Sequence, residues 1–326
     1  MTIRIDNLHN EVLLAMFDSY RQSSSERVWN SKNGWFKLAQ VCHKWRTIVL
    51  TSFCRLRLRV YFASDTPTRP AVLRSLSHLP IVVDYTNVAW NTITLKRLVS
   101  ALRYPDRVRR IEVQGSHKIE QSAIISKALD ISFPALESLR IINIGNPDSN
   151  ILLSSHFMAS IRSLRRLQLD GPSVLSVPLE VLSVTTSLVD LTLNFATIFS
   201  LNIASIFTRL QRLSHLRKLQ VSTHQCTFLK GNKTPPTATT LLAKLTYLSL
   251  SAGCSEIEWF MTRLVAPSLR ELHLSFYDTF RLHPNVTEFI SAAGIFFSQL
   301  NWRFRIGLST LPCLYIPFQS MKHPPK

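Results

Sequence analysis

Six residues, Leu164-Arg165-Arg166-Leu167-Gln168-Leu169, constrain this chain more than any other stretch, because apolar side chains at positions one, four and six of that frame keep returning on both sides of it. The frame fits Val108-Ile111-Val113, Leu136-Leu139-Ile141, Leu188-Leu191-Leu193, Leu216-Leu219-Val221, Leu245-Leu248-Leu250 and Leu269-Leu272-Leu274. Successive copies begin 24 to 29 residues apart. A period of roughly 20 to 50 residues marks stacked units, each contacting only its neighbours.

The apolar pair two apart lies on one face of an extended strand, whereas a helix would turn the second side chain about 200° from the first. Each copy therefore reads as a short strand. The 18 to 23 residues between strands suffice for a turn, a helix and a return at ~1.5 Å per helical residue. The fold class expected is α/β, a parallel stack with helices outside it. Weaker fits extend the frame to Phe53-Leu56-Leu58 and Pro80-Val83-Tyr85 on one side and Phe297-Leu300-Trp302 on the other. Leu311-Leu314-Ile316 follows after only 14 residues, too few for a full copy. Residues 64–70 read as a loop leading into a helix over 71–78.

Pattern and period together resemble the leucine-rich repeat family. That resemblance implies a curved solenoid with the strands on its concave face. The family usually places Asn or Cys three residues after the last apolar position, but Ser116, Ile144, Pro172, Ala196, His224, Gly253 and Tyr277 stand there. An irregular array is expected.

If positions four and six point inward, positions three, five and seven point to the opposite face. The residues expected to meet a target protein there are Arg110, Glu112, Arg140, Arg166, Gln168, Asp190, Lys218, Gln220, Tyr247, Glu271 and His273; Ile142, Asp170 and Thr192 share the face. Basic residues (Arg110, Arg140, Arg166, Lys218) equal acidic ones (Glu112, Asp170, Asp190, Glu271) in number. A nucleic-acid groove would concentrate positive charge, so the face reads as a mixed protein-binding surface. Position two differs: it holds Arg109, Arg165, Arg217 and Arg270 in alternate copies, a basic rim suited to an acidic or phosphorylated segment or simply to solvent.

The chain opens with two apolar segments. Residues 5–20 read as a helix capped by Asp6 or Asn7, residues 21–34 as a polar loop, and residues 35–49 as a second helix. Their apolar surface is wider than one small core needs, which argues for a partner. Leu8-His-Asn-Glu11-Val12-Leu13-Leu14 and Leu38-Ala39-Gln40-Val41-Cys42-His43-Lys44-Trp45-Arg46 resemble the F-box, with His9 where the family has Pro. An F-box followed by leucine-rich repeats is a known arrangement, and the chain resembles the large F-box groups of mushroom-forming fungi. The resemblance implies an F-box over 1–52, an array over 53–316 and a tail over 317–326. It also implies docking of Leu8, Val12, Leu13, Phe17, Leu38, Val41, Cys42, Trp45 and Ile48, shared between core and interface, with the Skp-type adaptor of an SCF cullin-RING ubiquitin ligase. The repeats would hold the target as a non-catalytic substrate receptor.

Composition bears on the rival. A net charge of +18 over 326 residues raises a different class, a basic scaffold that binds nucleic acid or anionic membrane with no ligase role. Residues 1–60 carry 10 basic and 4 acidic groups, so the excess is spread rather than gathered in a tail. The charge-free run 191–208 approaches the length of a membrane span but contains Asn194 and Asn202, and reads as a strand followed by a buried helix.

Catalytic and cofactor motifs are not found, and no cofactor or metal is expected. The eight glycines never come closer than 13 residues, so no phosphate cradle forms. Cys42-His43 are helix neighbours that point apart, and His224-Gln-Cys226 lacks a second pair for zinc. From five cysteines without a pairing pattern and a start, Met1-Thr-Ile-Arg, that lacks the apolar run of a signal peptide, the expected location is intracellular, in cytoplasm or nucleus.

Overall fold

In the seven main copies no residue at positions one, four or six is more than 4% exposed. A computed structural model describes residues 8–24, 34–63, 76–86, 88–115, 118–143, 151, 153–171, 185–195, 209–223, 239–253, 257, 260–261, 263–276, 303–308 and 311–315. The architecture is α/β, in two compact units, Met1–Val113 and Gln114–Lys326.

The first unit begins with three helices, α1 (Asn10–Ser23), α2 (Gly34–Val41) and α3 (His43–Thr51). Leu13 and Phe17 of α1 and Trp45, Ile48 and Val49 of α3 are buried, with the Phe17 and Trp45 rings 4.8 Å apart edge to face. Lys44 Nζ donates to the Leu8 carbonyl at 2.7 Å. Strands β1 (Val60–Ala63), β2 (Ile81–Tyr85) and β3 (Val108–Gly115) then pair in parallel, Phe62 opposite Val83 and Val83 opposite Ile111. Helix α4 (Thr92–Leu102) links β2 to β3. Its start is set by Asn91, whose Oδ1 accepts from Thr94 N at 2.9 Å while Thr94 Oγ1 accepts from Asn91 N at 2.9 Å, a reciprocal cap that fills two orphan groups. Leu95, Leu98, Ala101 and Leu102 are its buried side.

The second unit holds α5 (Ile119–Leu129), β4 (Ser138–Asn143), α6 (Ser155–Ser160), β5 (Arg166–Asp170), β6 (Asp190–Phe195), β7 (Lys218–Thr223), β8 (Thr240–Leu241), β9 (Tyr247–Ala252), β10 (Leu264–Val265), β11 (Glu271–Phe276), β12 (Arg303–Leu308) and β13 (Leu311–Tyr315). Its main sheet runs β4-β5-β6-β7-β9-β11-β12-β13, while β8 and β10 form a separate parallel pair. The register joins equal frame positions from strand to strand: Leu139, Leu167, Leu191, Leu219, Leu248 and Leu272 form one row. No described helix is long and apolar enough to cross a membrane.

Two backbone devices repeat with the frame. The N–H of each position-one leucine donates to the carbonyl three residues earlier, as in Leu164 to Ile161 at 3.1 Å and Leu245 to Leu242 at 3.1 Å. A tight turn thus delivers each strand. From Glu137 to Thr246 each position-two carbonyl accepts two donors from the next copy: Arg165 O takes Val189 N at 2.8 Å and Asp190 N at 3.0 Å, and Arg217 O takes Thr246 N and Tyr247 N at 2.8 and 3.0 Å. This ladder satisfies backbone at the leading edge of the sheet, as buried amides require.

Several expectations are corrected. Residues 35–49 do not form one helix: Cys42 is extended at φ −157°, ψ 172°, and its Sγ accepts from Trp45 N at 3.5 Å as the cap of α3. The break reorients α3, so Trp45, Ile48 and Val49 are buried while Val41, just before it, is 57% exposed. Helix α1 begins later than residue 5 and is capped by His9, whose Nδ1 lies 3.4 Å from Glu11 N; it also runs through 21–23, expected as loop. Phe53 and Leu56 lie in the turns after α3 and Leu58 just beyond them, with Leu56 N bonded to Ser52 O and Leu58 N to Phe53 O, so the first strand starts only at Val60. At the other end β12 spans 303–308, a strand not expected, with Phe304 opposite Leu272 and Ile306 opposite Leu274; Phe297, Leu300 and Trp302 lie outside the described residues. The short-spaced Leu311-Leu314 belongs to β13, which turns back antiparallel to β12. The loop 64–70, residues 71–75 of the expected helix, the Asp6 and Asn7 caps, residues 196–208, Cys226 and six of the seven ladder positions, all but Gly253, lie outside the described residues.

Candidate interaction surfaces

Helix α1 presents two apolar sides. Leu13, Leu14 and Phe17 are buried, while Val12, Met16 and Tyr20 are 47%, 49% and 46% exposed. Spacing of four places the latter three in one stripe along the helix. Of the other expected adaptor residues, Leu13, Phe17, Trp45 and Ile48 are buried, Leu8, Leu38 and Cys42 are half-buried, and Val41 is exposed. Sequence reasoning missed Met16 and Tyr20 as surface residues, because on a helix with apolar groups on more than one side the pattern does not say which side is open. Beside the stripe, Arg55 bonds Asp18 at 3.0 Å and Glu11 at 3.2 Å. Those two carboxylates raise the Arg55 pKa, mainly through the Asp18 hydrogen bond.

On the strands of the first unit the open face is more closed than expected. Glu112 is buried, and Arg110 Nε and Nη2 both donate to its Oε1, at 2.9 and 2.6 Å. Next to it Asp84, also buried, accepts from Tyr61 Oη at 2.6 Å and from Thr86 N and Oγ1 at 3.0 and 2.7 Å. Burial, then the Asp84 bond, push the Tyr61 hydroxyl well above the usual phenol range. Position five of that strand is thus a satisfied polar core group. Ile142 and Thr192 are buried as well, against expectation.

In the second unit the open face is graded. In register across it stand Arg166, Asp190, Lys218, Tyr247 and Glu271, then Gln168, Thr192, Gln220, Ser249 and His273, with Arg140 ahead of Gln168. Arg166 and Glu271 are exposed; Arg140, Gln168, Asp190, Lys218, Gln220, Tyr247 and His273 are half-buried. One cluster is built: Lys218 Nζ lies 5.2 Å from the Tyr247 ring centre, that ring is 5.1 Å from His273, and His273 Nε2 is 3.9 Å from Glu271 Oε2. A cation against an aromatic face holds the ring in place. Elsewhere Asn194 Nδ2 bonds Asp170 Oδ2 at 3.1 Å. Position two keeps its cations outward, with Arg165, Arg217 and Arg270 exposed in this unit and Arg109 exposed in the first.

Among the described residues no three His, Cys, Asp or Glu side chains gather as a metal site. What the geometry offers is contact chemistry: an apolar helical stripe, and a strand face of alternating charge with one aromatic anchor. Comparison of the chain with family models, with curated proteins and with solved structures finds no match.

Proposed function

We propose that the chain is a non-catalytic receptor subunit of an SCF-type cullin-RING ubiquitin ligase. In this reading α1–α3 form an F-box that docks a Skp-type adaptor, and the strands belong to a leucine-rich-repeat solenoid whose concave face holds a target protein. The observation that carries it is the exposed stripe Val12, Met16 and Tyr20, backed by a separate buried set on the same helix. A helix that keeps one apolar side after its core is filled has surface left for a partner helix. The F-box-like motifs at Leu8 to Leu14 and Leu38 to Arg46 name that partner by resemblance.

The test is titration calorimetry of the purified full chain with a Skp-type adaptor, using Val12→Lys combined with Met16→Lys. Both positions are about half exposed, so the double variant keeps its fold. The proposal expects binding by the parent chain and its loss in the variant. Equal heats from both, or none from the parent, overturn it.

A further inference from the structure

The edge of the second unit's main sheet at which β5 to β11 begin carries exposed cations. Arg165, Arg217 and Arg270 at position two, Arg162 and Lys244 in the turns before β5 and β9, and Arg212 before β7 are all exposed. From β4 to β11 position two reads Glu137, Arg165, Val189, Arg217, Thr246, Arg270, so its one carboxylate stands at the β4 end, beside Arg165. The doubled carbonyl ladder ties these residues in that order, so the three arginines stand on every second strand, about 10 Å apart at ~4.8 Å per strand. None of the three makes a salt bridge among the described residues. Lys244 Nζ approaches His215 Nδ1 at 3.1 Å, so the next row of turns also stacks copy on copy.

The row immediately inside this edge is of mixed sign: Arg166, Asp190, Lys218, Tyr247, Glu271. A phosphate backbone, negative at every step, would pass beside Asp190 and Glu271 while following the arginines, and would meet repulsion there. A polypeptide can place carboxylates over the edge and neutral or basic residues over the inner row. The forked guanidinium suits a carboxylate held in two bonds.

We propose that this edge captures an acidic segment of the target polypeptide, its carboxylates pairing with Arg165, Arg217 and Arg270. The proposal rests on the reading of the strand face as the target-holding surface and adds the chemistry of what is held. Val189 and Thr246, between the arginines, leave room for uncharged residues of the segment.

The experiment uses the purified full chain and a fluorescent peptide with Glu at every third position, about 10 Å apart in an extended chain at ~3.3 Å per residue, followed by anisotropy at about 50 and 300 mM salt, where exposed charges are weakly and strongly screened. Changing Arg165, Arg217 and Arg270 together to Gln should weaken binding about tenfold, as three exposed ion pairs imply, and flatten its salt dependence. The triple Lys variant, which keeps charge and loses the forks, should fall between. Unfolding curves of all three proteins should coincide. Failure of the parent to bind the peptide at low salt, or equal binding by the Gln variant, overturns the proposal. So does tighter binding of an RNA oligonucleotide of equal charge that the Gln variant loses. Adaptor titrations on the same samples separate this edge from the receptor reading, since they depend on α1–α3 alone.

Discussion

Leu167 and Gln168 are adjacent in β5 and face opposite ways, so they test the frame against itself. Leu167 is 2% exposed and stands in register between Leu139 and Leu191, whereas Gln168 is half-buried on the open face. Leu167→Asp forfeits the burial of a leucine, about 2–3 kcal/mol. It must also hold its new carboxyl neutral in the core, which from a reference pKa near 3.9 costs about 4 kcal/mol at pH 7. The total of roughly 6–7 kcal/mol matches the whole stability of many domains. Gln168→Asp should stay within about 1 kcal/mol, as surface changes do. Urea unfolding of the full chain by circular dichroism would read both. Such a buried carboxyl has a folded-state pKa raised above its unfolded value, so its charge-related penalty is absent below about pH 4 and grows as pH rises. The Leu167→Asp protein should therefore recover partly near pH 4, retaining only the leucine loss. Equal midpoints for the two variants at pH 7 would refute the inward assignment of position four.

Three further outcomes follow from particular contacts. Gly171 has φ +138°, and an added Cβ would lie 2.6 Å from the Asn143 carbonyl oxygen; Gly171→Ala should cost about 2 kcal/mol or more in urea unfolding, since strain and collision act together. The Tyr85 hydroxyl is buried with no hydrogen-bond partner among the described residues, so Tyr85→Phe should be neutral or stabilising by up to about 1 kcal/mol, read as an unchanged or raised urea midpoint. Burial raises the Tyr85 pKa and, with Asp84, that of Tyr61. Both phenols resist ionisation in the fold, so their contribution is intact below about pH 10 and lost as pH climbs further. Urea midpoints above pH 10 should fall less steeply in a Tyr61→Phe, Tyr85→Phe double variant than in the parent.

Much of the strand order was legible because period-two burial leaves a mark in sequence that turns and helix breaks do not. Val108 to Leu274 carries that mark in every copy, and the register follows from it. Leu56 and Leu58 carry the same mark yet are buried outside any strand, so spacing alone misplaced the first strand. Strand β12 was missed although Arg303-Phe304-Arg305-Ile306 alternates plainly, because the frame was extended by period from Leu269 and the interval from β11 to β12 is longer. The break at Cys42 has no Pro or Gly to announce it; only the cap bond from Trp45 N explains it. On the open face, chemistry type was readable but depth was not. Glu112 looks like a surface acid in sequence, and the burial imposed by Tyr61, Asp84 and Arg110 around it is tertiary.

A receptor between an adaptor and a target, as proposed, must bring its adaptor with it when the intact chain is affinity-purified from cells. A Skp-type adaptor should then co-purify in near-equal amount and disappear when Val12 and Met16 are both changed to Lys. Recovery of nucleic acid or lipid with no adaptor, from a chain that is folded, would contradict it.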